Sequence, residues 1–172
     1  STQTLISMPL KVALLMGSDS DFPRLEPCIQ TLKDFGVTPE VRVLSAHRTP
    51  QEACDFAAEA RQNGFGVLLC AAGGAAHLAG VIAAHTSLPV IGIPLDNPPL
   101  GGLDALLATV QMPGGVPVGT VGVGRGGPIN AALLALRILG VSDASVGKAL
   151  DEFRSTQHDR VLQKDQDLQS KL

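Results

Sequence analysis

Five short apolar runs, each followed by a loop rich in Gly, Ser or Pro, recur along this 172-residue chain: Leu10 to Met16, Val41 to Leu44, Val67 to Ala71, Val90 to Ile93 and Val118 to Val123. Each run has strand length, and the segments between them carry apolar residues at helical spacing, as at Leu25, Ile29, Leu32 and Phe35, and again at Ala53, Phe56, Ala57 and Ala60. Runs without polar alternation predict strands covered on both faces. Strands separated by helices pair in parallel, because a parallel neighbour is reached only through a long crossover.

The expected fold is therefore α/β: a three-layer, doubly wound, flavodoxin-like parallel sheet of about five strands with a C-terminal helix. Thr49, Pro50 and Glu52 supply an N-cap, a first-turn proline and a capping-box partner, so a helix is expected to begin right after Arg48. Residues Ile129 to Leu139 (INAALLALRIL) are apolar nearly all round, which suits a helix buried between subunits or against the sheet. From Ser142 a charged amphipathic helix follows, with Val146, Leu150, Phe153 and Val161 on its apolar side. The chain divides into an N-terminal extension (1–9), a single α/β domain (10–163) and a polar tail (164–172), without a linker or internal repeat.

Composition narrows the partners. Hydrophobic residues make up 45% and charged residues only 17%, so self-association is expected to cover part of the surface. A formal net charge of −3 offers no basic patch for a run of phosphates, which argues against nucleic acid but leaves room for a single small anion. Cys28, Cys54 and Cys70 have neither disulfide nor zinc spacing and are expected to be small buried hydrophobes. No apolar stretch reaches membrane-spanning length and the first residues lack a cationic flank, so a soluble, cytoplasmic protein is expected.

The chemistry concentrates in three loops at strand ends: Gly17 to Asp21 (GSDSD), Ser45 to Pro50 (SAHRTP) and Ala72 to His77 (AGGAAH). In a parallel sheet with these strands adjacent, the loops converge on one crevice. Gly17, Ser18 and Ser20 suit a phosphate approaching a helix start, while Asp21 is read as an N-cap or a partner of a ribose hydroxyl. The DSD triplet alone is a poor metal site, since no other carboxylate pair recurs at a later strand end. Arg48 is a forked, permanently charged donor for phosphate, and His47 beside it is a candidate proton acceptor at a helix N-terminus. Gly73 and Gly74 leave room for a ligand to come close, and His77 stands at or near a helix start. His85 and His158 are read as structural or exposed.

Taken together, MGSDSD (16–21), SAHRTP (45–50), AGGAAHL (72–78), LDALLATVQMPGGVPVGTV (103–121) and NAALLALRIL (130–139) resemble the class I 5-(carboxyamino)imidazole ribonucleotide mutases of purine biosynthesis, the PurE family. The resemblance runs in order and register over residues 10 to 160. It implies an isomerase, free of cofactor and metal, that moves a carboxylate from the exocyclic nitrogen to C4 of an aminoimidazole ribonucleotide and assembles as a homo-octamer. It further implies that Ser18, Ser20, Asp21 and Arg48 hold ribose and phosphate, that Ser45, Ala46, Gly73 and Gly74 line the base and carboxylate pocket, that His47 is the acid/base residue and that His77 assists near the migrating carboxylate. Ala79, Ala105 and the loop Pro94 to Leu100 depart from the common family pattern.

Two rival readings share the crevice: a direct carboxylase taking carbon dioxide, as in the class II branch, and a noncatalytic nucleotide-binding module. The class II branch typically carries Lys after the histidine and a different third loop, so Arg48 and GGAAH favour the mutase. A single histidine serves both halves of the mutase reaction, delivering a proton as nitrogen loses its carboxylate and removing one as C4 gains it. Carbon dioxide released between the halves calls for a small, closed, water-poor pocket, which the AAGGAA segment is suited to line.

Overall fold

The computed structural model describes residues 8–172; of the expected N-terminal extension, residues 1–7 lie outside the described residues. Five strands and six α-helices follow in alternation: β1 (Lys11–Met16), α1 (Phe22–Asp34), β2 (Glu40–Val43), α2 (Pro50–Glu59), β3 (Phe65–Gly73), α3 (Leu78–Ala84), β4 (Val90–Leu95), α4 (Leu103–Val110), β5 (Gly119–Thr120), α5 (Gly126–Gly140) and α6 (Ala144–Gln169). The strands pair in parallel in the order β2-β1-β3-β4-β5. This is the flavodoxin-like order, whose direction reverses between β1 and β3 and so opens a crevice beyond their carboxyl ends.

Strand alternation divides the core into two layers. Val12, Leu14 and Met16 of β1 join Val67, Leu69 and Ala71 of β3 and Ile91 and Ile93 of β4 under α1, α5 and α6. Ala13, Leu15, Leu68 and Cys70 face the other way, onto Ala53 and Ala57 of α2 and Leu78 and Ile82 of α3. The central strands are buried on both faces, as the continuous apolar runs predict. β2 is different: it lies at the sheet edge, and Val43 is 52% exposed.

Some expectations about local structure need correction. The fifth strand contracts from six residues to Gly119–Thr120, paired with Ile91 and Gly92. It is an edge strand entered from Pro117, which lacks an amide donor, and it leaves into the glycines at 122 and 124. The helix after Arg48 does begin at Pro50, but the Thr49 side chain makes no capping bond to it. Its hydroxyl instead accepts from the Ser45 amide at 2.8 Å and donates to the Ser45 carbonyl at 3.1 Å, closing the histidine loop on itself. Asp21 likewise caps nothing: Ser18 caps the short 3₁₀ turn Asp19–Asp21, and α1 follows directly.

The segment 129–139 lies against the sheet: Ala131, Ala132, Ala135 and Leu136 are buried, while Ile129 and Leu134 remain exposed. In α6, Val146 and Leu150 close the core, and Asp143 caps the helix through bonds to the Ser145 and Val146 amides. The helix continues to Gln169, and Val161 is solvent-facing rather than packed. Cys28 and Cys70 are buried, and burial pushes the Cys28 thiol up to about 12; Cys54 is partly exposed. Ala79 and Ala105 are buried small residues in α3 and α4, where they serve packing.

Candidate active site

Because β1 and β3 are neighbours and β2 flanks β1, the three loops that follow them emerge side by side. The sheet hydrogen bonding continues into them, through the Gly17 amide to the Ala71 carbonyl at 3.3 Å and the Leu44 amide to the Met16 carbonyl at 2.9 Å. The result is a crevice of about 270 Å³ lined by Gly17, Ser18, Ser20, Asp21, Ser45, Ala46, His47, Arg48, Ala72, Gly73, Ala75, His77, Leu78 and Asn97. Every candidate site residue named from the sequence except Gly74 lines it. That volume lies just under the usual range of ligand pockets, ~300–1,000 Å³, and suits a mononucleotide better than a dinucleotide.

Gly74 contributes differently. It turns the chain at φ +59°, a left-handed conformation that favours glycine, and so aims the rest of the third loop back toward α3. Gly73 beside it is needed for space, because a methyl group there would run into the side-chain amide of Asn97.

The two histidines meet. His47 Nε2 lies 2.8 Å from His77 Nδ1, with the rings nearly perpendicular at 85°. One nitrogen must donate and the other accept, so while this bond holds the pair carries at most one proton beyond the neutral state. The histidine loop is stiffened by the Thr49 bonds to Ser45 and by the Arg48 amide donating to Ser45 Oγ at 3.1 Å. The first loop is ordered by Ser18 Oγ and Ser20 Oγ, 2.8 Å apart. His85 bonds the Val81 carbonyl, and His158 pairs with Asp159; both lie outside the crevice.

Asp21 is the one nearly buried charged group on this rim, and it is paired with Arg24 at 2.9 Å. Burial raises its pKa above the usual carboxylate value, with the Arg24 charge and hydrogen bond pulling the other way. The DSD triplet does not form a metal cradle, since Asp21 is committed to Arg24 and Asp19 is exposed. Arg24 also donates from Nη1 to Asn97 Oδ1 at 2.7 Å and reaches Asp96 at 3.3 Å, tying the first loop to the loop after β4.

Replacing Arg24 with glutamine is expected to destabilise the fold by about 1–3 kcal/mol at neutral pH, because a shielded carboxylate loses its counter-ion. The folded pKa of Asp21 is raised, so the folded state holds the proton more tightly than the unfolded chain. The loss should therefore shrink as pH falls through that raised value, which denaturant titrations at several pH values will read.

Sequence reasoning missed Arg24 and Asn97. Arg24 reads as an ordinary exposed helix residue, and Asn97 sits in a proline-rich loop with no motif; their contact spans 73 positions. The small closed pocket expected for carbon dioxide is not formed by one chain, where His47, Arg48 and His77 are all exposed.

A doubly wound sheet thus carries a serine loop, an arginine and a bonded histidine pair together at its reversal point, the chemistry of an α/β protein whose crevice can take a small anion beside two imidazoles. Comparison with known proteins narrows this. The AIR carboxylase family model matches residues 11–160, and the chain belongs to that family. It is 47% identical over 153 residues to the N5-carboxyaminoimidazole ribonucleotide mutase of Vibrio parahaemolyticus, covering 89% of this chain and 95% of the relative. Against the mutase of Saccharolobus solfataricus it is 48% identical over 152 residues, covering 88% and 95% respectively. The crystal structure of Treponema denticola PurE superposes with a TM-score of 0.80 at 26% identity, covering 91% of this chain and 97% of that one.

Proposed function

We propose that the protein is a 5-(carboxyamino)imidazole ribonucleotide mutase, an isomerase of purine nucleotide synthesis. The observation that carries this reading is the His47–His77 pair in a crevice that also presents Arg48 and the Ser18–Ser20 loop, in a chain of this family. Arg48, Ser18 and Ser20 hold the phosphate, and Asp21 receives a ribose hydroxyl. Ser45, Ala46, Gly73 and Gly74 shape the base and carboxylate end.

The chemistry needs little else. The bond between the exocyclic nitrogen and the carboxylate carbon breaks, releasing carbon dioxide, and the nitrogen takes a proton from His47. C4 of the electron-rich ring then attacks the same carbon dioxide, and its proton returns to His47, so no net proton is exchanged. His77, bonded to His47, fixes the orientation of that ring. The imidazole itself stores the charge, so neither metal nor organic cofactor is required.

Carbon dioxide must be kept from escaping, which calls for a closed site. One chain leaves the histidines exposed, so the closure is assigned to a cytoplasmic homo-oligomer, an octamer by family resemblance. Exposed Leu100, Leu103, Leu107 and Val110, on and just before α4, support burial between copies.

Turnover tests the assignment. Purified protein supplied with the N-carboxylated nucleotide at low bicarbonate should form the C4-carboxylated product faster than protein supplied with the decarboxylated nucleotide and bicarbonate. Product from the second mixture alone would mean a direct carboxylase.

A further inference from the structure

Asn97 enters the crevice from the loop after β4. Its side-chain orientation is set from one side. Arg24 Nη1 lies 2.7 Å from Asn97 Oδ1, and a guanidinium has donors only, so the amide must turn its oxygen toward Arg24. The amide nitrogen then faces the other way. It lies over Gly73, close enough that a methyl group on that glycine would collide with it.

Among the described residues this nitrogen has no hydrogen-bond partner, and it is not a buried, unsatisfied group. It is an oriented donor in the wall of the crevice, against Gly73. Arg24 in turn is anchored by Asp21, so donor, guanidinium and carboxylate form one chain of contacts across the two loops.

We propose that Asn97 is a specificity-determining residue whose side-chain amide donates a hydrogen bond to the carboxylate on the imidazole of the bound nucleotide, with Arg24 as its positioning residue. The proposal rests on the mutase reading for the identity of the ligand. A neutral donor suits this task better than a cation. It bonds a carboxylate oxygen, yet it does not favour the charged carboxylate over neutral carbon dioxide as strongly as a full positive charge would, and so obstructs decarboxylation less.

The test compares two nucleotides that differ only in the group Asn97 is proposed to touch. Dissociation constants for the C4-carboxylated and the decarboxylated ribonucleotide are measured by calorimetry on the parent protein, Asn97→Asp and Asn97→Ser. Aspartate keeps an oxygen toward Arg24 but replaces the donor with a like charge. It should weaken the carboxylated nucleotide by about tenfold or more. The decarboxylated one should stay within about threefold of the parent. Serine retains a shorter donor and should fall between, and it carries the same comparison if the aspartate variant folds poorly. Equal weakening of both nucleotides, or no change in either, would overturn the proposal. Because binding is read, the comparison is decided even if the parent shows no turnover, a result that would instead count against the mutase reading.

Discussion

Replacing His47 with asparagine is expected to lower kcat by about 10²- to 10⁴-fold while leaving nucleotide affinity nearly unchanged. The loop keeps its shape through the Thr49 and Arg48 bonds to Ser45, although asparagine, whose amide reaches only as far as Nδ1, gives up the Nε2 contact with His77. What it cannot do is carry the proton that must reach the nitrogen and come back from C4. Single-turnover kinetics beside equilibrium binding separate the two effects. Loss of affinity with the chemical rate intact would make His47 a binding group, and no loss of rate would remove it from the reaction. The distinction also addresses the noncatalytic rival, since a module that only binds nucleotide has no rate to lose.

The second large effect is expected at Gly73. A methyl group at this position meets the Asn97 amide, which is itself held by Arg24 at 2.7 Å, so relief means breaking that hold or shifting the end of β3. Displacement of about 1 Å in a reacting group costs on the order of 10²-fold in rate, and Gly73→Ala should lose about that much in kcat/KM. Gly74→Ala makes a useful contrast. There is open space around that position, but the backbone stands at φ +59°, so the penalty falls on stability, about 1–2 kcal/mol. Melting curves and kcat/KM measured on both variants should therefore diverge in opposite senses. Full activity in Gly73→Ala would show that the third loop yields more easily than these contacts imply.

The architecture was legible because its strongest signals are local. Continuous apolar runs such as Val67 to Ala71 predict strands buried on both faces, and glycine-rich loops mark where those strands end. Once the strands are known to be parallel, convergence of the GSDSD, SAHRTP and AGGAAH loops follows from topology. Failures occurred where a tertiary partner outcompeted a local rule. Thr49 has the composition of a capping box, but its hydroxyl does better bridging both ends of the histidine loop at Ser45. Asp21 stands where a helix cap would, yet burial beside Arg24 gives its carboxylate a charged partner that an amide could not match.

The remaining features depended on pairs far apart in the chain. Nothing in the spacing of His47 and His77 says that their rings would bond, only that their loops would be neighbours. The link from Asp21 through Arg24 to Asn97 joins three residue types that are ordinary on their own, and only the strand order β1-β3-β4 brings the first loop near the one after β4. The open crevice has a similar origin. Leu100, Leu103 and Leu107 are exposed around α4, and no local pattern in the sequence marks which of these apolar residues the fold leaves uncovered.

The most direct measurement follows the carbon that moves. Substrate whose transferable carboxylate is labelled with carbon-13 is turned over in unlabelled bicarbonate, and the C4 carboxylate of the product is read by mass spectrometry. A mutase that confines carbon dioxide beside His47 returns product retaining most of the label. Product carrying mainly carbon from the bicarbonate would contradict the assignment and mark the protein as a carboxylase that draws its carbon dioxide from solution.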